Sequence, residues 1–264
     1  MGHFWRELFI FTYKQARSCI FAGSFFVLLY LSHHIHIPGL PRYDFLFIAA
    51  LLIQAILYFT GIETKDEVKM IFLFHLIGLC LELYKTNPAI GSWSYPEFSY
   101  LKIATVPLYS GFMYASVGSY ISQAWRQFHL ELSGYKSFVP SVVLAILIYI
   151  NFFTNHFLPD MRWILFGLVV IVFAKTTAHF TITQTRYRMP VIISFVLIAF
   201  FIWIAENIST YFGAWKYPNQ LTAWSAVSTQ KITSWSLLVI ISFIIVAYLK
   251  HFKKVRDEKN SVSI

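Results

Sequence analysis

The stretch Pro190-Val-Ile-Ile-Ser-Phe-Val-Leu-Ile-Ala-Phe-Phe-Ile-Trp-Ile-Ala-Glu206-Asn-Ile-Ser-Thr-Tyr-Phe-Gly-Ala-Trp-Lys-Tyr-Pro218 joins an uncharged apolar run to a compact polar and aromatic block. A bilayer core about 30 Å thick takes roughly 20 apolar residues at 1.5 Å each. Pro190–Ala205 comes close to that length. Seven further segments share its character: Ser18–Ser32, Tyr43–Gly61, Glu67–Tyr84, Tyr100–Ser122, Phe138–Asn155, Met161–Phe180 and Ile232–Lys250. The pattern predicts an all-α integral membrane protein of eight transmembrane helices. The first segment is short, and the apolar stretch Phe4–Tyr13 precedes it, so a helix lying in the interface and then turning inward is expected. Ser-His-His-Ile-His-Ile-Pro follows that run where a signal peptide would carry small residues, which argues against cleavage.

Composition agrees. Of 264 residues 58% are hydrophobic, 19% aromatic and only 12% charged, about half the charge of a soluble domain. That leaves too little polar surface for a soluble enzyme, a disordered chain or a nucleic-acid-binding domain, despite a formal charge of +9. Cys19 and Cys80 both lie in apolar runs and read as small buried hydrophobes rather than a disulfide framework. With eight spans, alternate loops share a side. The side carrying the termini holds 14 Lys and Arg and the opposite side 6, with Lys175 inside a span. Basic loops resist translocation, so both termini are expected in the cytoplasm, and the basic tail is expected to meet anionic lipid.

The block after Ala205 has a counterpart. Residues 82–97 and 206–218 both contain Glu, a Thr four residues later, and then Gly-x-Trp-x-Tyr-Pro. Glu82/Glu206 and Thr86/Thr210 are offset by 124, and the Gly-x-Trp-x-Tyr-Pro blocks by 122. Each copy ends one apolar segment and precedes the next. The simplest reading is a duplicated four-helix unit, 1–132 and 133–250 with a tail at 251–264, whose copies are parallel and related by an axis along the membrane normal. Trp93, Tyr95, Trp215 and Tyr217 suit an aromatic belt at the headgroup level. A belt does not account for the same Glu, Thr and Gly beside them twice. Gly91 and Gly213 imply a tight turn, and each Pro breaks any helix that follows.

Glu82 and Glu206 close otherwise apolar helices at the outer edge of the hydrocarbon. They read either as a structural pair, with Lys85 one turn after Glu82, or as carboxylates serving an outward-facing cavity, since ionisable groups in spans are costly. In the second reading they are the catalytic candidates, and Thr86, Trp93, Tyr95, Thr210, Trp215 and Tyr217 the substrate-binding ones. His75 lies two turns before Glu82, about 10 Å deeper, and is either a core histidine or a ligand. Lys175 and His179, one helical turn apart among threonines, form a second polar group at the inner end. Asn151, Asn155, His156 and Asp160 collect at an outer end, but no recognised ligand spacing supports a metal. Gly111, Ala115 and Ser119 suggest close helix contact, with Pro107 kinking the same helix.

Glu82-x-x-Lys85-Thr86, Gly91-x-Trp93-x-Tyr95-Pro96-Glu97, Arg188-Met189-Pro190 and Glu206-Asn207 with Gly213-Ala214-Trp215-Lys216-Tyr217-Pro218 carry a resemblance. Over nearly its full length the chain resembles the bacterial polytopic family catalogued as domain of unknown function 817. The resemblance implies a multi-pass protein of the bacterial cytoplasmic membrane and supplies no catalytic role. A weaker likeness is to bacterial carotenoid-biosynthesis membrane proteins, where a Glu, a Thr and a Gly-x-aromatic-x-Tyr pattern also follow a span. Three functions stay open, in this order: an intramembrane enzyme or binder for a lipid- or isoprenoid-like hydrophobic substrate, a small-molecule transporter, and a non-catalytic membrane scaffold. The expected partners are the lipid bilayer and a hydrophobic small molecule, not nucleic acid, and the sequence names no cofactor.

Overall fold

A computed structural model describes residues 2–135 and 138–252 of the chain. Nine α-helices are described: α1 (Gly2–Ser18), α2 (Ile20–His34), α3 (Arg42–Phe59), α4 (Lys65–Lys85), α5 (Ser110–Gln127), α6 (Phe138–Thr154), α7 (Arg162–Phe173), α8 (Val191–Tyr211) and α9 (Lys231–Ala247). Each of the eight apolar segments overlaps one of α2 to α9. The helices α1 and α2 meet at a 68° bend, the turn expected after the N-terminal apolar stretch. Most of the expected tail (253–264), together with Lys136, lies outside the described residues.

Among the described residues three helices are long and apolar enough to cross a membrane: α3, α8, and α9 extended to Lys250. A fourth crossing follows if α1 and α2 count as one broken span, while α6 and α7 are apolar but shorter. Outward faces carry large apolar side chains, with Phe59 84% and Ile171 73% exposed. Water tolerates no such density of exposed rings and aliphatic groups on a monomer.

The chain is mostly helical rather than all-α. Two short antiparallel sheets occur, one of β1 (Lys102–Ile103) with β2 (Val106–Pro107), the other of β3 (Glu131–Ser133), β4 (Thr177–Thr181) and β5 (Arg186–Pro190) in the order β3-β4-β5. They correct two expectations. The helix after Tyr100 starts only at Ser110, so Pro107 sits in a strand opposite Lys102 and kinks no helix. The helix from Met161 stops at Phe173, so Lys175 and His179 are not one helical turn apart within a span. His179 pairs with Arg188 in the ladder and bonds Ser133, while Lys175 is exposed in the connection. Thr-Ala-His-Phe-Thr and Arg-Tyr-Arg-Met-Pro alternate in polarity, which fits a pleated ribbon and not a spanning helix. Cys80 is exposed and Cys19 partly exposed, contrary to the buried reading.

Two helix pairs position the site: α4 packs along α5, and α8 along α9. The start of α4 is set by a capping box, in which Thr64 N–H donates to Glu67 Oε2 at 2.8 Å and Glu67 N–H to Thr64 Oγ1 at 3.3 Å. Small residues then let α5 approach closely. A Cβ on Gly111 would lie 2.5 Å from His75 Nδ1, and one on Gly78 would lie 2.4 Å from the Tyr114 ring. Tyr114 is thereby seated against α4 one turn before Glu82.

Candidate functional site

Both motif glutamates are buried, Glu82 at 2% and Glu206 at 3% exposure, and both are surrounded by aromatic donors. Glu82 Oε2 accepts from Trp93 Nε1 at 2.7 Å and from the Tyr95 hydroxyl at 2.8 Å, while Oε1 accepts from the Tyr114 hydroxyl at 2.7 Å. Glu206 Oε1 accepts from the Tyr217 hydroxyl and Oε2 from Trp235 Nε1, the latter at 2.7 Å. Each carboxylate thus gathers the Tyr of its own motif and one aromatic residue from the following helix. Burial and the neighbouring carboxylate hold the Tyr95 and Tyr217 hydroxyls well above their ordinary pKa, so both remain protonated donors. Glu82 and Glu206 are each bonded by neutral donors and have no salt-bridge partner among the described residues.

The two motifs form matching turns. Gly91 and Gly213 adopt φ of +57° and +68°, left-handed values that a side chain adopts only with strain. The following N–H, of Ser92 or Ala214, returns to the carbonyl of Lys85 or Ser209, in both cases at 2.9 Å. The loops then meet. Ser94 N–H donates to the Lys216 carbonyl and Lys216 N–H to the Ser94 carbonyl, both at 2.9 Å. Ser94 and Lys216 occupy the same place, between Trp and Tyr, in their copies. Such reciprocal bonding is that of a hydrogen-bonded pair in an antiparallel bridge.

Arg42, at the start of α3, ties the copies together. Its guanidinium pairs with Glu97 at 2.5 Å and donates to the carbonyls of Phe212 and Gly213 and to Ser32 Oγ. The Tyr109 hydroxyl donates to the Ala214 carbonyl, and Tyr43 to that of Gly213. Beside Tyr43 and Glu97 lies a cavity of about 440 Å³, walled also by Thr86, Trp93, Tyr95, Lys102, Thr105 and Leu221. Its size falls in the range that holds small ligands.

Of the residues expected at the site, Glu82, Trp93 and Tyr95 are joined directly, as are Glu206 and Tyr217. Thr86 bonds Thr105 at 2.7 Å and lines the cavity. Trp215 is buried against the Tyr217 hydroxyl, and Thr210 accepts from Trp224 Nε1 at 3.2 Å. His75 is not brought in: its ring packs against Phe72, Phe112 and Gly111. Lys85 turns from Glu82 toward Asn155 and His156, and Lys175 and His179 lie in the sheet region. Among the described residues no group of three or more His, Cys, Asp or Glu is placed to hold a metal ion.

The family model described as "Protein of unknown function (DUF817)" matches residues 7–243, a range that contains both motifs. The chain belongs to the DUF817 family. It is 55% identical over 249 residues to the "Uncharacterized protein YoaT" of Bacillus subtilis (strain 168), covering 94% of each chain. No solved structure matches. Neither match is to a carotenoid-biosynthesis protein. In this DUF817 chain, sequence reasoning missed Tyr114, Trp235, Arg42 and Tyr109. A signal existed for two of them: a Tyr and a Trp inside apolar helices each carry a polar hydrogen that needs an acceptor once buried.

Proposed function

We propose that the protein is a multi-pass protein of the cytoplasmic membrane, built from two parallel four-helix repeats, that binds a small hydrophobic ligand where the two motifs meet. Eight spans and cytoplasmic termini rest on the eight apolar segments, the exposed apolar faces and the 14-to-6 asymmetry of basic residues. The reciprocal Ser94–Lys216 pairing supports the duplication. The observation that carries the binding reading is the cavity walled by Trp93, Tyr95, Tyr43 and Thr86. Glu82 orients substrate through Trp93 and Tyr95, the cavity rings it holds, and Glu206 fixes the second motif through Tyr217 and Trp235; neither serves as an acid/base group in this reading, because their oxygens already accept bonds from Trp and Tyr donors. Rings fixed by buried hydrogen bonds form a rigid apolar wall, which lowers the ordering cost of binding.

The test compares the parent with Thr105→Phe, which fills the cavity without altering Glu82 or Glu206. Both are extracted in mild detergent, and the small molecules they retain are identified by mass spectrometry. A lipophilic compound held near one per chain by the parent, and at least tenfold less by a stable Thr105→Phe variant, supports the reading. Equal retention by the two, or none by either, refutes it.

A further inference from the structure

On the other side of Trp93, cations from three elements converge. Lys85, the last residue of α4, is only 5% exposed. Its ammonium donates to Asn155 Oδ1 at 3.0 Å and meets His156 Nε2 at 3.1 Å, and Ser92 Oγ stands 3.2 Å from the same ring nitrogen. Lys231, the first residue of α9, lies over the faces of Trp93 and Tyr217, at 5.7 and 4.6 Å from the ring centroids. It donates no side-chain hydrogen bond among the described residues. Lys85, Lys231 and Arg162 are within electrostatic reach of one another.

Two acids face these three cations. Asp160 pairs with Arg162 at 2.7 Å, and Glu206, hydrogen-bonded by the neutral Tyr217 and Trp235, lies within electrostatic reach of Lys231. Partial burial and the Lys85 and Lys231 ammoniums hold His156 below its ordinary pKa, so its ring is neutral and Nε2 accepts from Lys85. The first turn of α9 has no acidic residue, which leaves the positive end of its dipole unopposed. An ammonium has three donors. Lys85 uses two of them and Lys231 none, so the free hydrogen-bonding capacity of this region is donor capacity. Three cations against two carboxylates leave the region net positive beside the start of α9, a balance that favours a bound anion.

We propose that Lys85 and Lys231 form a phosphate-binding site, with Ser92 and the start of α9 as its other walls. Donors arriving from separate elements suit a tetrahedral dianion, either free or as the headgroup of an amphiphile. The site does not rest on the cavity reading. Neither Lys85 nor Lys231 lines that cavity, so loss of ligand retention in Thr105→Phe and loss of phosphate binding in Lys231→Met are separate outcomes.

The test uses the full chain in neutral maltoside detergent, with tryptophan fluorescence as readout because the Trp93 ring carries Lys231. Inorganic phosphate, decyl phosphate and decyltrimethylammonium are titrated into the parent, Lys85→Met, Lys231→Met and Lys231→Arg. Decyl phosphate is expected to give a saturable change that weakens at least tenfold in each Met variant and is largely restored in Lys231→Arg. The ammonium amphiphile is expected to give none. Matching competition by inorganic phosphate identifies a free-anion site, and response to decyl phosphate alone identifies a headgroup site. Should Lys85→Met fail to fold, Lys231→Met decides. Unchanged affinity in Lys231→Met, equal response to the cationic amphiphile, or no saturable response to either phosphate overturns the proposal.

Discussion

Replacing Glu82 with Leu removes the acceptor for three buried donors, Trp93 Nε1 and the hydroxyls of Tyr95 and Tyr114, which lie 2.7 to 2.8 Å from its oxygens. A buried donor left without a partner costs about 1–3 kcal/mol, so the three together cost about 3–9 kcal/mol. Relief from burying a carboxylate offsets a few kcal/mol of this, for a net loss of about 2–5 kcal/mol. That is a large share of a total stability of about 5–15 kcal/mol. Glu82→Gln behaves differently. Its amide oxygen still serves Trp93 and Tyr95, the Tyr114 hydroxyl turns to accept from the amide, and each bond weakens by about 1 kcal/mol on losing its charge. The assay is membrane abundance together with thermal unfolding in detergent, followed by tryptophan fluorescence. Combining Glu82→Leu with Trp93→Phe, which removes one stranded donor, isolates the pair. The double variant is expected to lose at least about 1 kcal/mol less than the sum of the singles. Parental stability of Glu82→Leu, or additive losses in the cycle, would refute the idea that this carboxylate organises the motif.

Arg42→Met removes a guanidinium that binds Glu97 and the carbonyls of Phe212 and Gly213, and is expected to cost about 2–4 kcal/mol; a melting midpoint equal to the parent's would show that the two motif turns hold without it. Glu67 is fully buried, caps α4, accepts from Ser122, and pairs with Lys250 and with Arg126 at 3.3 Å. Glu67→Ala is expected to lose about 3–5 kcal/mol by leaving those cations unpaired, checked by abundance and thermal unfolding, and near-parental behaviour would contradict the burial argument. Glu63, in the α3–α4 connection, accepts from Ser119 and Gln54, yet burial holds its carboxyl above the ordinary range. A raised folded pKa means that the folded chain binds the proton more tightly. Glu63 therefore contributes most below its unfolded pKa, and the contribution is lost as pH rises through the folded value. Glu63→Gln should remove that decline and melt at or above the parent at pH near 7.5; parallel pH profiles for the two proteins would rule this out.

Hydropathy and spacing were enough to find a mostly helical chain with long apolar helices and the doubled motif, because both are local. An apolar run long enough for a helix, or a Gly-x-Trp-x-Tyr-Pro block, is complete within one stretch of chain. The same locality explains the errors. A window that averages hydropathy runs on through Ala174–Phe180, where alternating residues pair with Arg186–Pro190 instead, and it reads Tyr100–Tyr109 as helix although that segment makes a short hairpin. Lys175 and His179 then appear to share a helical face that does not exist. The glutamates were found, but not what surrounds them. Tyr114 and Trp235 are 32 and 29 residues from Glu82 and Glu206, and only helix packing, permitted by Gly78 against Tyr114, brings donor to acceptor. Tertiary structure alone also decided that the two motif loops bond each other through Ser94 and Lys216. A motif that occurs twice in the sequence carries no information about whether its two occurrences touch, since that depends on how two separately formed helix pairs pack.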